Sequence, residues 1–136
     1  MPRRACDWFN QTMRDLEQAK DSQQAGRHEW ACFAAQQAGA KSAKALQLSS
    51  GRRSRIYSIS EIFEKLHEII QIPGEIFDKG RMLDNLYIPA RYPNIHHQGA
   101  PFEHYDQVQS DASISYAIEI INFASARMAL NFNNYK

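Results

Sequence analysis

Residues 27–48 read RHEWACFAAQQAGAKSAKALQL, and this stretch decides the fold class. Its larger apolar residues recur at intervals of three and four, which predicts one long helix packed along one side. The residues on that side are Trp30, Phe33, Ala34, Ala38, Ala45 and Leu48. Gly39 costs about 1 kcal/mol relative to alanine in a helix interior. We therefore expect close packing by a neighbouring element around this alanine-rich helix.

The segments on either side of this helix also have helical spacing. Residues 7–24 are predicted to form a first helix that Gly26 ends. Its apolar stripe consists of Trp8, Phe9, Met13, Leu16 and Ala19. Ser49, Ser50 and Gly51 close the alanine-rich helix with C-cap and turn chemistry.

A third helix is predicted to begin at Ser58. Ser58 and Glu61 have the spacing of a capping box, and Tyr57 is placed to pack on Ile62 as a hydrophobic staple. The stripe continues through Ile69 and Ile70 until Pro73-Gly74 ends it. A shorter fourth helix is predicted over residues 75–87, with its buried candidates at Ile76, Leu83, Leu86 and Tyr87.

Residues 88–105 contain three prolines and Gly99 and keep no regular period, so they are predicted to form a long loop. Asp106 and Gln109 repeat the capping-box spacing at the start of a last helix, which runs to about Asn131. Its inward residues are Ile114, Ala117, Ile118, Ile121 and Met128. The prediction is one all-α domain over residues 1–136, an up-and-down bundle of about five helices with a long loop before the last.

Composition limits the possible functions. The 136 residues carry 16 Lys+Arg and 15 Asp+Glu, a formal charge of +1, so a broad basic surface for nucleic acid or anionic membrane is not expected. Cys6 and Cys32 are too few for a disulfide framework or a four-thiolate zinc site. With no apolar stretch long enough to span a bilayer, these features predict a cytoplasmic protein without a membrane partner.

The long loop holds Arg91, His96, His97, His104 and Tyr105, and thus three of the five histidines. Arginine can clamp a phosphate, and a histidine that titrates near neutrality can move a proton to or from a ribose hydroxyl. These residue types suit phosphodiester cleavage without a metal. The alternative is that Arg91 fixes the loop to helix carboxylates or carbonyl groups and that the histidines are merely exposed.

Other candidate residues have simpler explanations. The spacing of His96, His97 and His104, even with Glu103, matches no regular zinc pattern, so we predict no metal and no cofactor.

The sequence has one basic cluster, consisting of Arg52, Arg53 and Arg55. These arginines are able to hold an RNA backbone or an acidic partner, or they form a solvated turn.

The large aromatic residues Trp8, Trp30 and Phe33 are expected in the core, and Cys32 is expected to be a buried, inert thiol. No P-loop and no GxGxxG motif occurs in the chain, so the sequence gives little support to nucleoside triphosphate hydrolysis or redox chemistry.

Several groups of residues, in this order, resemble a HEPN domain over nearly the whole chain. They are Trp8, Met13-Arg14-Asp15-Leu16, Ala19, Phe33-Ala34-Ala35-Gln36-Gln37-Ala38, Lys41, Lys44-Ala45-Leu46 and Tyr87-Ile88-Pro89-Ala90-Arg91-Tyr92-Pro93. The resemblance implies an all-α bundle that is usually a homodimer and is often encoded beside a small nucleotidyltransferase. Many members of that family are RNA-cleaving toxins.

The resemblance also assigns roles to residues. Ribonuclease members have an arginine, four to six residues and then a histidine, which Arg91 satisfies with His96 or His97. In the family this motif lies near the dimer interface, where arginine holds the scissile phosphate and histidine assists attack by the ribose 2′-hydroxyl. Asn94 would then be a supporting polar group. Tyr92-Pro93 resembles the R-Y-P subgroup, associated with minimal nucleotidyltransferases, whose arginine often lacks a paired histidine.

Two functions follow as expectations. The first is a HEPN component of a toxin–antitoxin or nucleotidyltransferase-linked two-protein system, acting as a metal-independent endoribonuclease through Arg91 and His96 or His97. The alternative is a non-catalytic dimeric module that binds a nucleotide or a partner protein. In either case the expected RNA or nucleotide contacts are Arg91, Asn94, His104, Tyr105, Arg52, Arg53 and Arg55.

Overall fold

The computed structural model describes residues 3–133, and in this range the chain forms five α-helices and no β-strand. The helices are α1 (Arg3–Gln24), α2 (His28–Ser49), α3 (Ile59–Leu66), α4 (Gly74–Asp84) and α5 (Gln107–Asn133). Two short 3-10 helices, Pro93–Ile95 and Pro101–Glu103, interrupt the long connection before α5. The predicted all-α bundle with a long loop before its last helix is confirmed. No helix in this range is long and apolar enough to cross a membrane.

Helix α2 lies at the centre of the bundle and packs against all four other α-helices. Gly39 allows a close approach to α2, because a Cβ at this position would lie 2.9 Å from Leu83 Cδ1 and 3.1 Å from Ile59 Cδ1. The close packing expected around Gly39 is therefore present. It offsets the low helix propensity of glycine.

The ends of α1 and α2 have the same backbone geometry. Gly26 and Gly51 adopt φ values of +79° and +77°, which favour glycine. In each case the residue after the glycine donates its N–H back into the helix, from Arg27 to the Ser22 carbonyl at 2.8 Å and from Arg52 to the Gln47 carbonyl at 3.1 Å. Both are Schellman motifs, and each places an arginine just beyond a helix end.

The N-terminus of α5 has the predicted capping box. The Asp106 carboxylate accepts from the Gln109 N–H at 3.1 Å, and the Gln109 amide oxygen accepts from the Asp106 N–H at 2.7 Å. Each side chain thus satisfies a backbone donor that the helix leaves open.

At the start of α3 the cap differs from the prediction. Ser58 Oγ accepts from the Glu61 N–H at 3.4 Å, but the other side-chain acceptor is Asp84 rather than Glu61. Asp84 accepts from the N–H groups of Ile59 at 2.8 Å and Ser60 at 3.0 Å. This long-range cap fixes the end of α4 beside the start of α3, a contact that local spacing cannot reveal.

Several predicted boundaries and orientations require correction. Helix α1 begins at Arg3 instead of Asp7, and α3 ends at Leu66, after which a turn buries Ile70 and leaves Ile69 exposed. Helix α4 ends at Asp84, so Tyr87 lies in a turn and is exposed. Tyr57 is also exposed, and its ring faces Trp8 at a centroid distance of 6.3 Å.

Candidate functional site

One face of α2 forms the floor of a surface depression, which we call the α2 furrow. The floor residues recur at the three- and four-residue spacing that places side chains in one row along a helix. They are Trp30, Phe33, Gln37, Lys41, Lys44 and Leu48. Helix α1 forms one wall, and the α3 start and α4 end form part of the other.

The furrow consists of three adjoining cavities of about 490, 450 and 590 Å³. The first and second share Gln37 and Lys41, and the second and third share Trp8. Each volume lies within the range typical of ligand sites. The shared residues place the three cavities side by side along α2.

Trp30 and Phe33 correct the expectation that they belong to the core, whereas Trp8 packs against the core as expected. Trp30 is 48% exposed, and Trp8 and Phe33 are only half-buried. Helix α2 is nearly surrounded, and its alanine face fills the core, so the larger rings on the other side remain at the surface. Trp30 and Phe33 thus form stacking surfaces along the furrow, outside the core.

Arg91 lies beside the furrow, outside the lining of the three cavities, and is held by aromatic rings that include the floor residue Phe33. Its guanidinium carbon lies 4.3 Å from the centroid of Tyr87, 4.5 Å from that of Phe33 and 5.1 Å from that of Tyr92. Its Nε donates to the Tyr87 carbonyl at 2.8 Å. Within residues 3–133 no carboxylate forms an ion pair with Arg91. The rings orient the guanidinium without neutralising its charge, which leaves its terminal N–H groups suited to an anion.

Two loop histidines form a separate cluster. The rings of His96 and His104 are stacked with centroids 4.1 Å apart and planes 5° from parallel, and Tyr105 meets His96 edge-on at 6.2 Å. His96 Nε2 lies 2.6 Å from the Pro89 carbonyl oxygen, and His104 Nε2 lies 2.6 Å from the Gln98 carbonyl oxygen. A carbonyl only accepts, so each Nε2 carries the hydrogen and Nδ1 keeps the lone pair in the neutral ring.

The remaining loop candidates are solvent-facing. His97 and Asn94 are exposed, and in the described part of the chain neither side chain makes a hydrogen bond within the protein. No hydrogen bond joins Arg91 to a histidine in residues 3–133 either. The structure thus brings His96, His104 and Tyr105 together, but it holds Arg91 in a different group of contacts.

Burial changes the acidity of two groups behind this loop. Burial raises the pKa of Tyr105, which is half-buried. It also raises the pKa of the Cys32 thiol, which is fully buried. The Cys32 sulfur accepts a hydrogen bond from Ser113 Oγ at 3.4 Å. Both groups are therefore neutral near pH 7. The prediction of a buried Cys32 is confirmed, and its neutral form is a poor nucleophile.

Arg52, Arg53 and Arg55 lie at the opposite end of the furrow from Arg91. All three are exposed, and Arg52 and Arg53 line the cavity of about 590 Å³ together with Arg4, Trp8 and Lys44. No carboxylate lines this cavity. We call it the basic end of the furrow, and Arg55 lies beside it in sequence but outside its lining.

Lys44 is the unusual member of the basic end. Its residue is 5% exposed, its Nζ donates to the Ser54 carbonyl, and it lies 5.1 Å from the centroid of the Tyr57 ring. No carboxylate pairs with it among residues 3–133, and burial lowers the pKa of Lys44. The basic end therefore contains a buried cation whose charge nothing in the described chain neutralises.

The middle of the furrow is polar. Lys41 Nζ pairs with the Asp15 carboxylate at 2.5 Å, and Gln37 Nε2 donates to the Gln36 amide oxygen at 2.8 Å. Charge is balanced here, in contrast to both ends. In the described range no group of three or more His, Cys, Asp or Glu side chains is arranged to hold a metal ion.

The chain that carries the furrow also matches a known family. A model of the HEPN domain matches residues 5–128. This chain belongs to the HEPN family. No curated protein matches the HEPN chain.

Crystal structures of three proteins resemble this HEPN chain closely. TT1696 from Thermus thermophilus is 33% identical, with a TM-score of 0.89 over 93% of this chain and 99% of that one. ST0689, an archaeal HEPN homologue, is 35% identical, with a TM-score of 0.79 over 94% and 99%. A HEPN domain protein from Thermotoga maritima is 29% identical, with a TM-score of 0.73 over 88% and 95%.

Sequence reasoning identified Arg91 and the Arg52–Arg55 turn but missed the furrow that connects them. The signal was present, since Gln37, Lys41 and Lys44 share the row of Trp30 and Phe33. Recognising it required knowing that α1, α3 and α4 leave most of this row of α2 at the surface, with Lys44 as the buried exception.

Proposed function

We propose that this HEPN protein binds RNA and that Arg91 holds a phosphate of the bound strand. The observation that carries the proposal is the Arg91 guanidinium, which lies over three aromatic rings and has no carboxylate partner among residues 3–133. A planar guanidinium fixed by stacking offers paired N–H donors at low entropic cost. The neighbouring rings of Trp30 and Tyr92 are exposed and provide surfaces on which bases stack.

The test is the affinity of purified protein for a fluorescent single-stranded oligoribonucleotide. Arg91→Ala is expected to weaken binding about tenfold, because a charged hydrogen-bond donor to phosphate is removed. Arg81→Ala is the matched control: Arg81 also lies over an aromatic ring, Phe77 at 4.9 Å, but it pairs with Asp78 and lines none of the three cavities. Equal affinities of the wild type and Arg91→Ala would refute the proposal.

A second candidate function is cleavage of the bound RNA without a metal. It is favoured by the basic Nδ1 that the His96–Pro89 contact leaves on the His96 ring, and by the exposed ring of His97. In this reaction an imidazole takes the proton of a ribose 2′-hydroxyl, the O2′–P bond forms and the P–O5′ bond breaks. The products are a 2′,3′-cyclic phosphate and a 5′-hydroxyl, whose oxygen receives a proton from an imidazolium or from water.

Cleavage assays in the presence of a chelator test this candidate and distinguish the two histidines. Loss of the responsible imidazole is expected to slow cleavage by about a hundredfold or more. His96→Ala and His97→Ala are compared with His67→Ala, a histidine at the end of α3. Activity that a chelator abolishes, or that both His96→Ala and His97→Ala retain, would contradict this mechanism.

We further propose that this HEPN protein belongs to a two-protein system, either toxin–antitoxin or nucleotidyltransferase-linked. In this proposal it acts as a homodimer in the cytoplasm. The support for this proposal is the resemblance of the Tyr87–Pro93 segment to the R-Y-P subgroup. Co-expression with the product of the adjacent gene tests the pairing, and light scattering tests the dimer. If a stable complex covers Arg91 and RNA binding is absent, the alternative of a non-catalytic partner-binding module is favoured.

A further inference from the structure

We propose that the basic end of the α2 furrow is a second phosphate-binding subsite, so that the furrow takes an extended single strand of RNA rather than a single nucleotide. This inference rests on the proposed function at Arg91. It adds a site farther along α2, built from Arg52, Arg53, Lys44 and Trp8. The shared ligand chemistry is the phosphodiester backbone of a single strand.

The first argument is the charge of the subsite. Arg4 pairs with Asp7 at 3.3 Å, but within residues 3–133 no ion pair involves Arg52, Arg53 or Lys44. Three uncompensated cations at one cavity with no lining carboxylate form a local positive field, even though the whole chain carries only +1. A phosphate is the complementary group.

The second argument is the burial of Lys44. A lysine that is 95% buried would be expected to have a carboxylate partner, since an unpaired buried charge is costly. Lys44 has only the Ser54 carbonyl and the face of Tyr57. A phosphate bound beside Arg52 and Arg53 would supply the missing negative charge, and burial would strengthen that interaction.

The third argument is continuity. Phe33, beneath Arg91, and Lys44 are eleven residues apart on α2, a rise of about 17 Å. A single nucleotide cannot span this distance, whereas a strand of several nucleotides can. Between the ends lie Gln36 and Gln37, the Lys41–Asp15 ion pair and the Asp84 carboxylate that caps α3, with Trp8, Tyr57 and Tyr87 as aromatic surfaces. Cations at the two ends and rings between them suit a single strand whose bases stack along the path.

The backbone fixes the basic end before any ligand arrives. The Schellman motif at Gly51 sets the direction of Arg52, and Gln47 Nε2 donates to Ser54 Oγ at 3.0 Å. Gln47 is itself buried, so the turn that carries the arginines is attached to α2. The arginine backbones are therefore preorganised, although their side chains are exposed.

The experiment measures binding of two labelled probes, a uridine dinucleotide and a uridine octanucleotide, both 2′-O-methylated so that the 2′ oxygen cannot attack. The variant is Arg52→Ala with Arg53→Ala. Its control is Lys65→Ala with Arg81→Ala, which removes the same charge from exposed positions outside the three cavities. Thermal melting is measured for every variant, so that loss of folding is recognised.

The wild type is expected to bind the octanucleotide at least about tenfold more tightly than the dinucleotide. The Arg52→Ala, Arg53→Ala variant should lose most of this advantage and bind the dinucleotide as the wild type does. The control should bind both probes normally. Retained octanucleotide affinity in the variant would overturn the second subsite.

Arg91→Ala separates this result from a failure of the proposed function. Suppose that Arg91→Ala lowers the affinity for both probes, whereas the Arg52→Ala, Arg53→Ala variant binds both as tightly as the wild type. The proposed function then stands and the second subsite is wrong. If Arg91→Ala weakens neither probe, the proposed function is wrong whatever the other variant shows. A change in oligomeric state without a change in octanucleotide affinity would identify the basic end as a protein contact and also overturn the subsite.

Discussion

The two ends of the α2 furrow carry positive charge in different ways. At one end the Arg91 guanidinium is oriented by Phe33, Tyr87 and Tyr92 and by the Tyr87 carbonyl. At the other end Arg52 and Arg53 are exposed, and only the backbone of their turn is fixed. The first end offers a defined donor geometry, and the second offers charge density.

This difference predicts a division of labour in binding. A fixed planar donor recognises one phosphate in one orientation, whereas mobile cations hold a backbone with little geometric selection. Arg91 should thus determine the register of the strand, and the basic end should determine how affinity depends on length and salt. The following variants test these assignments.

Replacement of arginine by lysine should distinguish the ends most strongly. Arg91→Lys is expected to weaken octanucleotide binding about fivefold, less than Arg91→Ala, because lysine keeps the charge but lacks the planar fork that stacks on the rings. Arg52→Lys should change affinity by less than about twofold, since a point charge suffices there. Fluorescence anisotropy gives both values, and equal reductions in the two variants would remove the distinction.

The salt dependence of RNA affinity should also differ between the two ends of the furrow. Removing one cation that binds a phosphate of a single strand lowers the slope of log affinity against log salt by about 0.7. Arg52→Ala with Arg53→Ala should therefore reduce the slope by about 1.4, and Arg91→Ala by about 0.7. Titrations over a range of salt concentrations measure the slopes. An unchanged slope in the double variant would show that these arginines contact no phosphate.

Lys44 should give the basic end a pH dependence in stability. Burial lowers the pKa of Lys44 in the folded protein from its ordinary value of 10.5, so between the two values the unfolded chain binds more protons than the folded one. In that window the free energy of unfolding contributed by Lys44 rises with pH. Its burial penalty is full below the folded pKa and disappears above 10.5.

The comparison is between the wild type and Lys44→Met in urea unfolding at pH 7 and pH 10. Raising the pH should stabilise the wild type relative to Lys44→Met, with RNA absent from both samples. Leu48→Met, another floor residue, serves as the uncharged control. A stability difference that stays constant with pH would show that the lysine carries no burial penalty.

The smallest effects are expected at the rings beneath Arg91. Tyr87→Phe should leave octanucleotide affinity within about twofold of the wild type, because the ring face remains under the guanidinium. Tyr87→Ala should weaken binding roughly threefold, because it removes one cation–π interaction that orients Arg91. The same anisotropy assay measures both. Equal reductions in Tyr87→Phe and Tyr87→Ala would indicate that the hydroxyl, rather than the ring, binds the strand.

The fold was predictable because its determinants are local. The Asp106–Gln109 box, the Gly26 and Gly51 caps and the alanine face of α2 all lie within a few residues of what they control. Errors arose where distant residues act, as with the Asp84 cap on α3 and the exposed Tyr87. No spacing rule connects residues that are 24 or 25 positions apart.

The candidate site was predictable only in pieces. Arg91 and the arginine turn are visible as residue types in a loop and at a helix end. Trp30 and Phe33 were assigned to the core because helical periodicity identifies a stripe but not what covers it. Lys44 was not singled out as a site residue, since its burial depends on Tyr57 and Ser54 folding over it.

The most direct test of the single furrow uses the two tryptophans of the protein. The ring centroids of Trp30 and Phe33 are 6.1 Å apart, and Phe33 lies beneath Arg91, so Trp30 reports on that end. Trp8 lines the basic end. In a ¹⁵N-labelled sample the indole N–H resonances of both residues are followed during titration with the 2′-O-methyl octanucleotide. One strand bound along the whole furrow predicts that both resonances shift with the same dissociation constant. A titration in which only Trp30 shifts, or in which the two resonances report different dissociation constants, would contradict the account.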